Sequence, residues 1–270
     1  MKVLKNINVL KKAISAISDL GFVPTMGGLH KGHISLIKES QKKCKKTLVS
    51  IYVNPKQFDN KNDFSKYPRN INKDLKLLKT LKIDYLFLPT TNGIYKSNNN
   101  KDIKLLKAEK ILCARFRKGH FEGVLNIMNR FIDLIKPRYI FLGEKDFQQL
   151  ILIKNFIKGK YKSKIYPCKT IRNKNNAPLS SRNFLLTKKS LRKVELISTI
   201  LKRTKPLINK SYLLNNYLKV LKEKLINKFN IKIEYLEIRN VVNFKEYVIK
   251  NKTRIFIAYY INDIRLIDNI

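Results

Sequence analysis

The segment 24–33, Pro-Thr-Met-Gly-Gly-Leu-His-Lys-Gly-His, constrains the fold most, because an apolar run ends there, the chain turns on glycines and an amphipathic stretch follows. Glycines let a backbone turn tightly and approach a ligand closely. The first N–H groups of the following helix and its positive dipole end attract anions such as phosphate. His30 and His33 share one face of that helix, where their ring nitrogens can hydrogen-bond phosphate oxygens. The segment therefore predicts a site for a nucleotide triphosphate.

The same step from an apolar run to an amphipathic stretch repeats along the chain. Strands are predicted at 21–24, 47–53, 85–88, 139–142 and 165–168, and helices at 34–45, 72–81, 122–135 and 147–157. Alternating strands and helices predict an α/β fold, a Rossmann-like parallel sheet with helices on both faces. Ligands of such sheets bind beyond the carboxyl ends of the strands. Three polar clusters follow predicted strands, at 24–33, 54–57 and 143–146, and we expect them to share one crevice.

The character of the sequence changes after about residue 185. Two lysine-rich amphipathic helices are predicted at 188–207 and 211–229, followed by strands at 231–238 and 254–260. This order is typical of a smaller α+β C-terminal domain. The polar run 172–178 is interpreted as the linker. We therefore expect a Rossmann-like domain at 1–172, which would hold the predicted nucleotide site, and a small α+β domain at 173–270, which would close over it.

Composition bears on partners and compartment. The formal net charge of +39 would by itself favour a nucleic-acid-binding protein, which is kept as the alternative from another class. The lysines are spread along the whole chain rather than gathered in one arm, so no specific nucleic acid is expected. No apolar run is long enough to cross a bilayer, so no membrane partner is expected. The three cysteines lack paired spacing, which suits a reducing cytoplasm.

Six separated segments together resemble one family. They are 24–33, Val-Asn-Pro-Lys-Gln-Phe at 53–58, Tyr-Pro-Arg at 67–69, Gly-His-Phe-Glu-Gly-Val at 119–124, Gly-Glu-Lys-Asp-Phe-Gln-Gln-Leu at 143–150 and Ser-Ser-Arg-Asn at 180–183. In order and spacing the chain is similar to pantothenate synthetases (pantoate–β-alanine ligases), which belong to the nucleotidyltransferase superfamily with a His-x-Gly-His motif. The resemblance spans nearly the whole chain. Another nucleotidyltransferase of that superfamily is the alternative within the class.

The resemblance implies an ATP-dependent ligase that condenses pantoate with β-alanine. The reaction would pass through a pantoyl adenylate, releasing pyrophosphate and then AMP, with Mg²⁺ on the triphosphate and a cytoplasmic homodimer as the assembly. The implied catalytic residues are His30, His33 as the acid, and Lys145 as a charge that bridges the reacting oxygens. The implied pantoate and β-alanine residues are Met26, Gln57 and Gln149, and Asp74 is the candidate magnesium ligand. The implied ATP-binding residues are Met26, Gly27, Gly28, Leu29, His30, Lys31, Gly32, His33, Gly143, Glu144, Lys145, Asp146, Ile171, Leu179, Ser180, Ser181 and Arg182.

The chain departs from the family pattern at four places. Lys73 stands where the family has the first member of an acidic pair, and Lys118 replaces a proline before His120, the third of three histidines. Asn175-Asn176 replaces an Asp-Gly pair, and Asn262 stands where glycine is common. Because asparagine tolerates a positive φ better than other side chains, we expect both of these turns to survive.

Overall fold

In a computed structural model, which describes residues 1–95, 103–208, 214–246, 248–249 and 252–270, the chain divides into two units, Met1–Thr170 and Ile171–Ile270. This division falls two residues before the predicted boundary at 172/173. The run 172–178, interpreted from sequence as a linker, lies within the second unit. There it folds back on itself, with a bridge between Arg172 and Pro178. None of the helices in these described ranges is both long enough and apolar enough to span a membrane.

The first unit is built on a six-stranded sheet. Its strands are β1 (Lys2–Leu4), β2 (Leu20–Thr25), β3 (Lys46–Ile51), β4 (Tyr85–Phe87), β5 (Tyr139–Gly143) and β6 (Lys164–Cys168). They lie in the order β1-β4-β3-β2-β5-β6, and every neighbouring pair is parallel. This arrangement confirms the Rossmann-like fold class. The five predicted strands are present, and β1 was not predicted.

The helices of this unit connect the parallel strands. They are α1 (Ile7–Ile14), α2 (Lys31–Lys43), α3 (Lys61–Lys66), α4 (Ile71–Thr80), α5 (Thr91–Tyr95), α6 (Cys113–Phe116), α7 (His120–Ile135) and α8 (Phe147–Ile157). Helix α2 begins three residues before its predicted start at 34, and α7 begins two before its predicted start at 122. Strand β2 is an apolar run because a strand between two others in such a sheet is covered on both faces. Its Phe22 and Val23 are fully buried.

The second unit has α9 (Lys188–Ile208), α10 (Leu214–Phe229), β7 (Lys232–Asn240), β8 (Thr253–Ile261) and β9 (Ile264–Asn269). Residues 211–213 of the predicted second helix lie outside the described residues. The strands form an antiparallel sheet in the order β7-β8-β9, which confirms the α+β C-terminal part. Apolar side chains of both helices and the sheet form its core, including Ile197, Leu201, Leu225, Ile255 and Ile257.

Several turns place ordinary side chains in the left-handed region that glycine favours. Asn176 and Asn262 have φ values of +71° and +53°, so both turns survive with asparagine, as the sequence predicts. Helices α4, α7 and α10 are each followed by a residue of this kind, Lys82 (+51°), Lys136 (+48°) and Asn230 (+48°). Glycine is the usual residue at such helix ends, because it adopts the left-handed conformation without a Cβ penalty.

Candidate active site

The site of the first unit lies where the strand order reverses. Strand β2 has β3 on one side and β5 on the other, and the chain reaches these two neighbours by separate crossovers. In open parallel sheets the crevice beyond this reversal is where ligands bind. The loop 26–30 follows β2, and the turn Glu144–Asp146 follows β5. The turn Pro55–Gln57 follows β3, so all three predicted polar clusters lie at the reversal.

The loop after β2 is held by Asp74. Gly27 and Gly28 have φ values of +78° and +61°, which turns their backbone away from the strand direction. The N–H groups of Gly28 and Leu29 donate to the two carboxylate oxygens of Asp74, at 2.9 and 2.8 Å. Asp74 lies in α4 and is buried, so its charge is directed onto these two N–H groups.

This arrangement changes the interpretation of Asp74 as a magnesium ligand. Both of its oxygens already accept backbone hydrogen bonds, so its first task is to shape the loop. Across the described ranges, no three His, Cys, Asp or Glu side chains are grouped so that they could hold a metal ion. The described residues therefore do not fit a magnesium ion held by the protein alone.

The two histidines cap the helix that follows the loop. The Gly32 N–H donates to His30 Nδ1 at 3.1 Å, and the His30 N–H donates to His33 Nδ1 at 3.3 Å. The rings lie 4.1 Å apart between centroids. Because each Nδ1 accepts a hydrogen bond, each neutral ring carries its proton on Nε2. The capping also explains why α2 begins at Lys31 rather than at the predicted residue 34.

Glycine at position 32 is required for this capping. A Cβ placed on Gly32 would lie 2.7 Å from His30 Cε1 and 2.9 Å from His30 Nδ1. Any larger residue would push the His30 ring off the start of the helix. The His-x-Gly-His spacing therefore has a steric basis, because the glycine leaves room for the first histidine to fold back over it.

Burial and positive charge keep both histidines neutral. Desolvation, reinforced by Lys145, lowers the pKa of His30 to about 4. Desolvation, followed by the charges of His30 and Lys145, lowers the pKa of His33 to about 3. Near neutral pH the pair therefore offers Nε2–H donors rather than acidic imidazolium protons. The Lys145 ammonium lies 3.4 Å from an oxygen of Asp146, with only 17% of its side chain exposed.

Gln57 and Met26 lie together in the first unit. Gln57 ends the short 3₁₀ turn Pro55–Gln57, is buried, and points its Nε2 at Met26 Sδ, 2.9 Å away. Asn54, which is fully buried, caps the turn by accepting from the Lys56 N–H at 3.3 Å. Gln57 and Met26 were both predicted to contact the acid substrate. The structure brings them together beside the loop after β2.

The adjacent Gln148 and Gln149 differ in their surroundings. Gln148 is buried, accepts from the Cys113 N–H at 3.0 Å and donates to the Ile111 carbonyl at 2.8 Å. It therefore holds the segment before α6. Gln149, the predicted substrate residue, is half-buried in the first turn of α8, directly after the Glu144–Asp146 turn.

The remaining predicted ATP residues lie in the second unit. Ser180 caps the 3₁₀ helix Ser181–Leu185, where its hydroxyl accepts from the Arg182 N–H at 3.3 Å. The Leu179 N–H donates to the Ile171 carbonyl at 3.0 Å, closing the base of the 172–178 turn. Arg172 ties this turn to β9 through two hydrogen bonds to Asp268, at 2.8 and 2.7 Å. These residues form one ordered loop within their own unit.

Sequence reasoning assigned no role to His120 or Arg117, which the structure places against the Gln57 turn. His120 Nδ1 lies 2.6 Å from the Gln57 carbonyl oxygen, and its Nε2 lies 2.8 Å from Arg117 Nη1. The available signal was that all three histidines of the chain fall in motif-like segments.

Fold and site together define a Rossmann-like α/β protein of the nucleotide-binding class. Its glycine turn, capping histidines and half-buried lysine converge where the strand order reverses. The chain belongs to the pantoate-beta-alanine ligase family, because the sequence model of that family matches residues 2–270.

Curated relatives named pantothenate synthetase match the whole chain. A pantothenate synthetase of Francisella philomiragia is 38% identical over 274 residues, covering 100% of this chain and 97% of the relative. A pantothenate synthetase of Azobacteroides pseudotrichonymphae is 36% identical over 290 residues, covering 100% and 99%.

Solved structures agree as well. The pantoate-beta-alanine ligase of Francisella tularensis, complexed with beta-gamma ATP and β-alanine, has a TM-score of 0.86 at 36% identity, covering 100% of this chain and 97% of that one. The pantothenate synthetase of Thermus thermophilus has a TM-score of 0.91 at 26% identity, covering 100% and 99%.

Proposed function

We propose that this chain is an ATP-dependent ligase that joins pantoate to β-alanine through a pantoyl adenylate. The observation that carries the proposal is the convergence of His30, His33 and Lys145 at the strand reversal of a chain that belongs to this family. Neutral N–H donors and one half-buried ammonium suit a reaction in which negative charge moves between phosphate oxygens.

In the first step a pantoate carboxylate oxygen attacks the α-phosphorus of ATP. The bond from that phosphorus to the bridging oxygen breaks, and pyrophosphate leaves with the electron pair. Lys145 supplies a compact positive charge that stabilises the carboxylate and phosphate oxygens whose charge changes in this step. The Nε2–H groups of His30 and His33 donate to phosphate oxygens without giving up their protons.

In the second step the amine of β-alanine attacks the acyl carbon of the adenylate. The carbon–oxygen bond to AMP breaks, an amide bond forms, and the amine loses a proton to solvent. Gln57, Gln149 and Met26 would hold the acid. Neutral amides can donate to its oxygens and accept from its hydroxyls while leaving the carboxylate nucleophilic.

Roles for residues of the second unit are proposed because the chain belongs to this family. Ser180, Ser181 and Arg182 would bind the β- and γ-phosphates, and the backbone near Ile171 and Leu179 would contact the nucleoside. Magnesium would enter as the counter-ion of ATP, since no protein-held site for it fits the described residues. A homodimer is likewise proposed from the family. Three buried thiols without disulfides support a reducing cytoplasm as the compartment.

The test is pyrophosphate release from ATP and Mg²⁺ with pantoate, with and without β-alanine, followed by mass analysis of the product. We expect pantoate-dependent pyrophosphate, and pantothenate plus AMP only when β-alanine is added. Pyrophosphate release that does not depend on pantoate but depends on another acid or nucleotide would favour a different nucleotidyltransferase. Salt-sensitive binding to nucleic acid with no adenylation would favour the other class.

A further inference from the structure

We infer that His120 and Arg117 are positioning residues that hold the Gln57 turn in the shape needed to bind the acid substrate. The inference rests on the proposed function for the identity of that substrate. It concerns the turn 54–58 and the two residues that reach it from the start of α7.

The first observation is a hydrogen bond from the third histidine to the backbone of Gln57 itself. His120 is buried, and its Nδ1 lies 2.6 Å from the Gln57 carbonyl oxygen. Its other ring nitrogen, Nε2, lies 2.8 Å from Arg117 Nη1. A guanidinium can only donate, so Nε2 accepts and the ring proton resides on Nδ1. The Nδ1–H therefore donates to the Gln57 carbonyl.

Arg117 fixes this tautomer and ties the histidine to the far side of the turn. Its side chain is only 10% exposed, and its Nε donates to Asp59 Oδ1 at 3.2 Å. A second carboxylate, that of Asp63 in α3, lies 3.8 Å from Arg117 Nη2. A continuous chain of polar contacts thus runs from the Gln57 carbonyl through His120 and Arg117 to the residues that follow the turn.

A second observation places the turn directly against the backbone of α7. A Cβ on Gly123 would collide with the carbonyl group of Lys56 and would lie 2.8 Å from Gln57 Cα. The buried Asn54 donates from Nδ2 to the Gly123 carbonyl at 3.2 Å. The start of α7 therefore holds the turn at both of its ends, by Asn54 before it and by His120 at its last residue.

The consequence concerns the direction of one side chain. With its carbonyl oxygen bound to His120, Gln57 projects its amide toward Met26 Sδ, 2.9 Å away. Loss of the His120 hydrogen bond would free the Gln57 peptide to rotate, and the amide would no longer be fixed in the orientation proposed to meet the acid. Neither His120 nor Arg117 needs to touch substrate for this to matter.

The experiment compares His120→Ala and His120→Asn with a control in the same helix. An asparagine N–H takes up nearly the position of the histidine Nδ1–H, so it can restore the donor. The control is Asn129→Ala, because Asn129 is also buried in α7 but accepts from Lys160 and Tyr161, each at 2.7 Å, away from the turn. The measured quantities are the KM for pantoate, the KM for ATP and kcat.

We expect His120→Ala to raise the KM for pantoate about tenfold, with the KM for ATP within about twofold of wild type. That fold-change corresponds to about 1.4 kcal/mol, the size of one hydrogen bond. His120→Asn should recover most of the pantoate KM, and Asn129→Ala should leave both values near wild type. A rise that is equal for pantoate and ATP, or no recovery with asparagine, would overturn the inference.

A second readout separates this inference from the proposed function. Amide hydrogen exchange over residues 54–59, followed by mass spectrometry, needs no catalysis. Faster exchange there in His120→Ala but not in Asn129→Ala supports the positioning role even if the wild-type protein makes no pantothenate. Unchanged exchange in His120→Ala would overturn it, even if the wild-type protein is a fully active ligase.

Discussion

Replacing Asp74 by asparagine should destabilise the first unit without changing the dependence of activity on magnesium. Asp74 accepts two backbone hydrogen bonds, at 2.9 and 2.8 Å. Asparagine keeps one acceptor and turns an N–H toward the second backbone donor. The variant loses one charge-assisted bond of about 1.5–3 kcal/mol and leaves a buried donor unsatisfied at about 1–3 kcal/mol. A loss of about 3 kcal/mol would lower the Tm of a unit of this size by roughly 6–12 °C.

The assay combines thermal unfolding without ligands and a magnesium titration of pyrophosphate release. The matched control is Asp84→Asn, because Asp84 also accepts two hydrogen bonds, from Lys46 Nζ at 2.8 Å and the Thr47 N–H at 2.9 Å, away from the loop. We expect a Tm loss in both variants, with the KM for ATP raised only in Asp74→Asn. An unchanged Tm together with a tenfold greater magnesium requirement would refute the reasoning and restore Asp74 as a metal ligand.

Three further predictions concern residues that are proposed to bind the substrates. His33→Ala should slow adenylation by about 10²–10³-fold in single-turnover assays, which is the range seen for loss of one preorganised donor. A rate near that of wild type would contradict the role of His33 as a donor to phosphate. Gln149→Ala should mainly raise the KM for pantoate, and an unchanged KM would exclude that contact. In the folded chain the pKa values of His30 and His33 are about 4 and about 3, whereas in the unfolded chain a histidine has a pKa near 6.5. As the pH falls below 6.5, the unfolded chain therefore gains a proton on each histidine before the folded chain does. Stability should therefore fall between pH 6.5 and 4.5 by up to about 1.4 kcal/mol per pH unit for each histidine. Thermal unfolding across that range should show a shallower slope in His33→Asn, and an equal slope would contradict the assignment.

The elements that were predictable from sequence are those with a strong periodic signal. Strands β2 to β6 and the long helices α7, α8 and α9 carry enough apolar residues to be recognised in the sequence. Strand β1 was missed because Lys2–Leu4 includes a lysine and two exposed positions and so forms no apolar run, whereas the equally short β4 is apolar throughout. Helix α1 was also missed, although Asn6 caps it by accepting from the Val9 N–H at 2.9 Å. Helix starts were placed late because the capping residues, His30 and Gly119, are not standard side-chain caps.

Site residues were predictable where a motif contains side chains suited to binding the substrate. They were less predictable where a side chain hydrogen-bonds the backbone of a distant loop. Met26 and Gln57 were expected to act on the same substrate, and they lie in contact. The metal role of Asp74 stays a prediction, but the hydrogen bonds from its two oxygens to N–H groups of the loop were not foreseen. The sequence did contain a clue, since Asp74 lies one helical turn before the fully buried Leu78 and so shares its inward face. Partners on a loop 45 residues earlier cannot be inferred from local pattern.

The left-handed residues that follow α4, α7 and α10 bear on the thermal stability of the chain. Holding a side chain other than glycine in that conformation costs roughly 1–2 kcal/mol, somewhat less for asparagine. Lys82, Lys136 and Asn230 accept this cost in a chain that has only nine glycines among 270 residues. These three helix ends therefore carry a cost in the free energy of unfolding that glycine would avoid, whereas the tight turn before α2 has glycine at positions 27, 28 and 32. Glycine thus stands where a side chain would obstruct the turn at the start of α2, and other residues stand where the cost is confined to thermal stability.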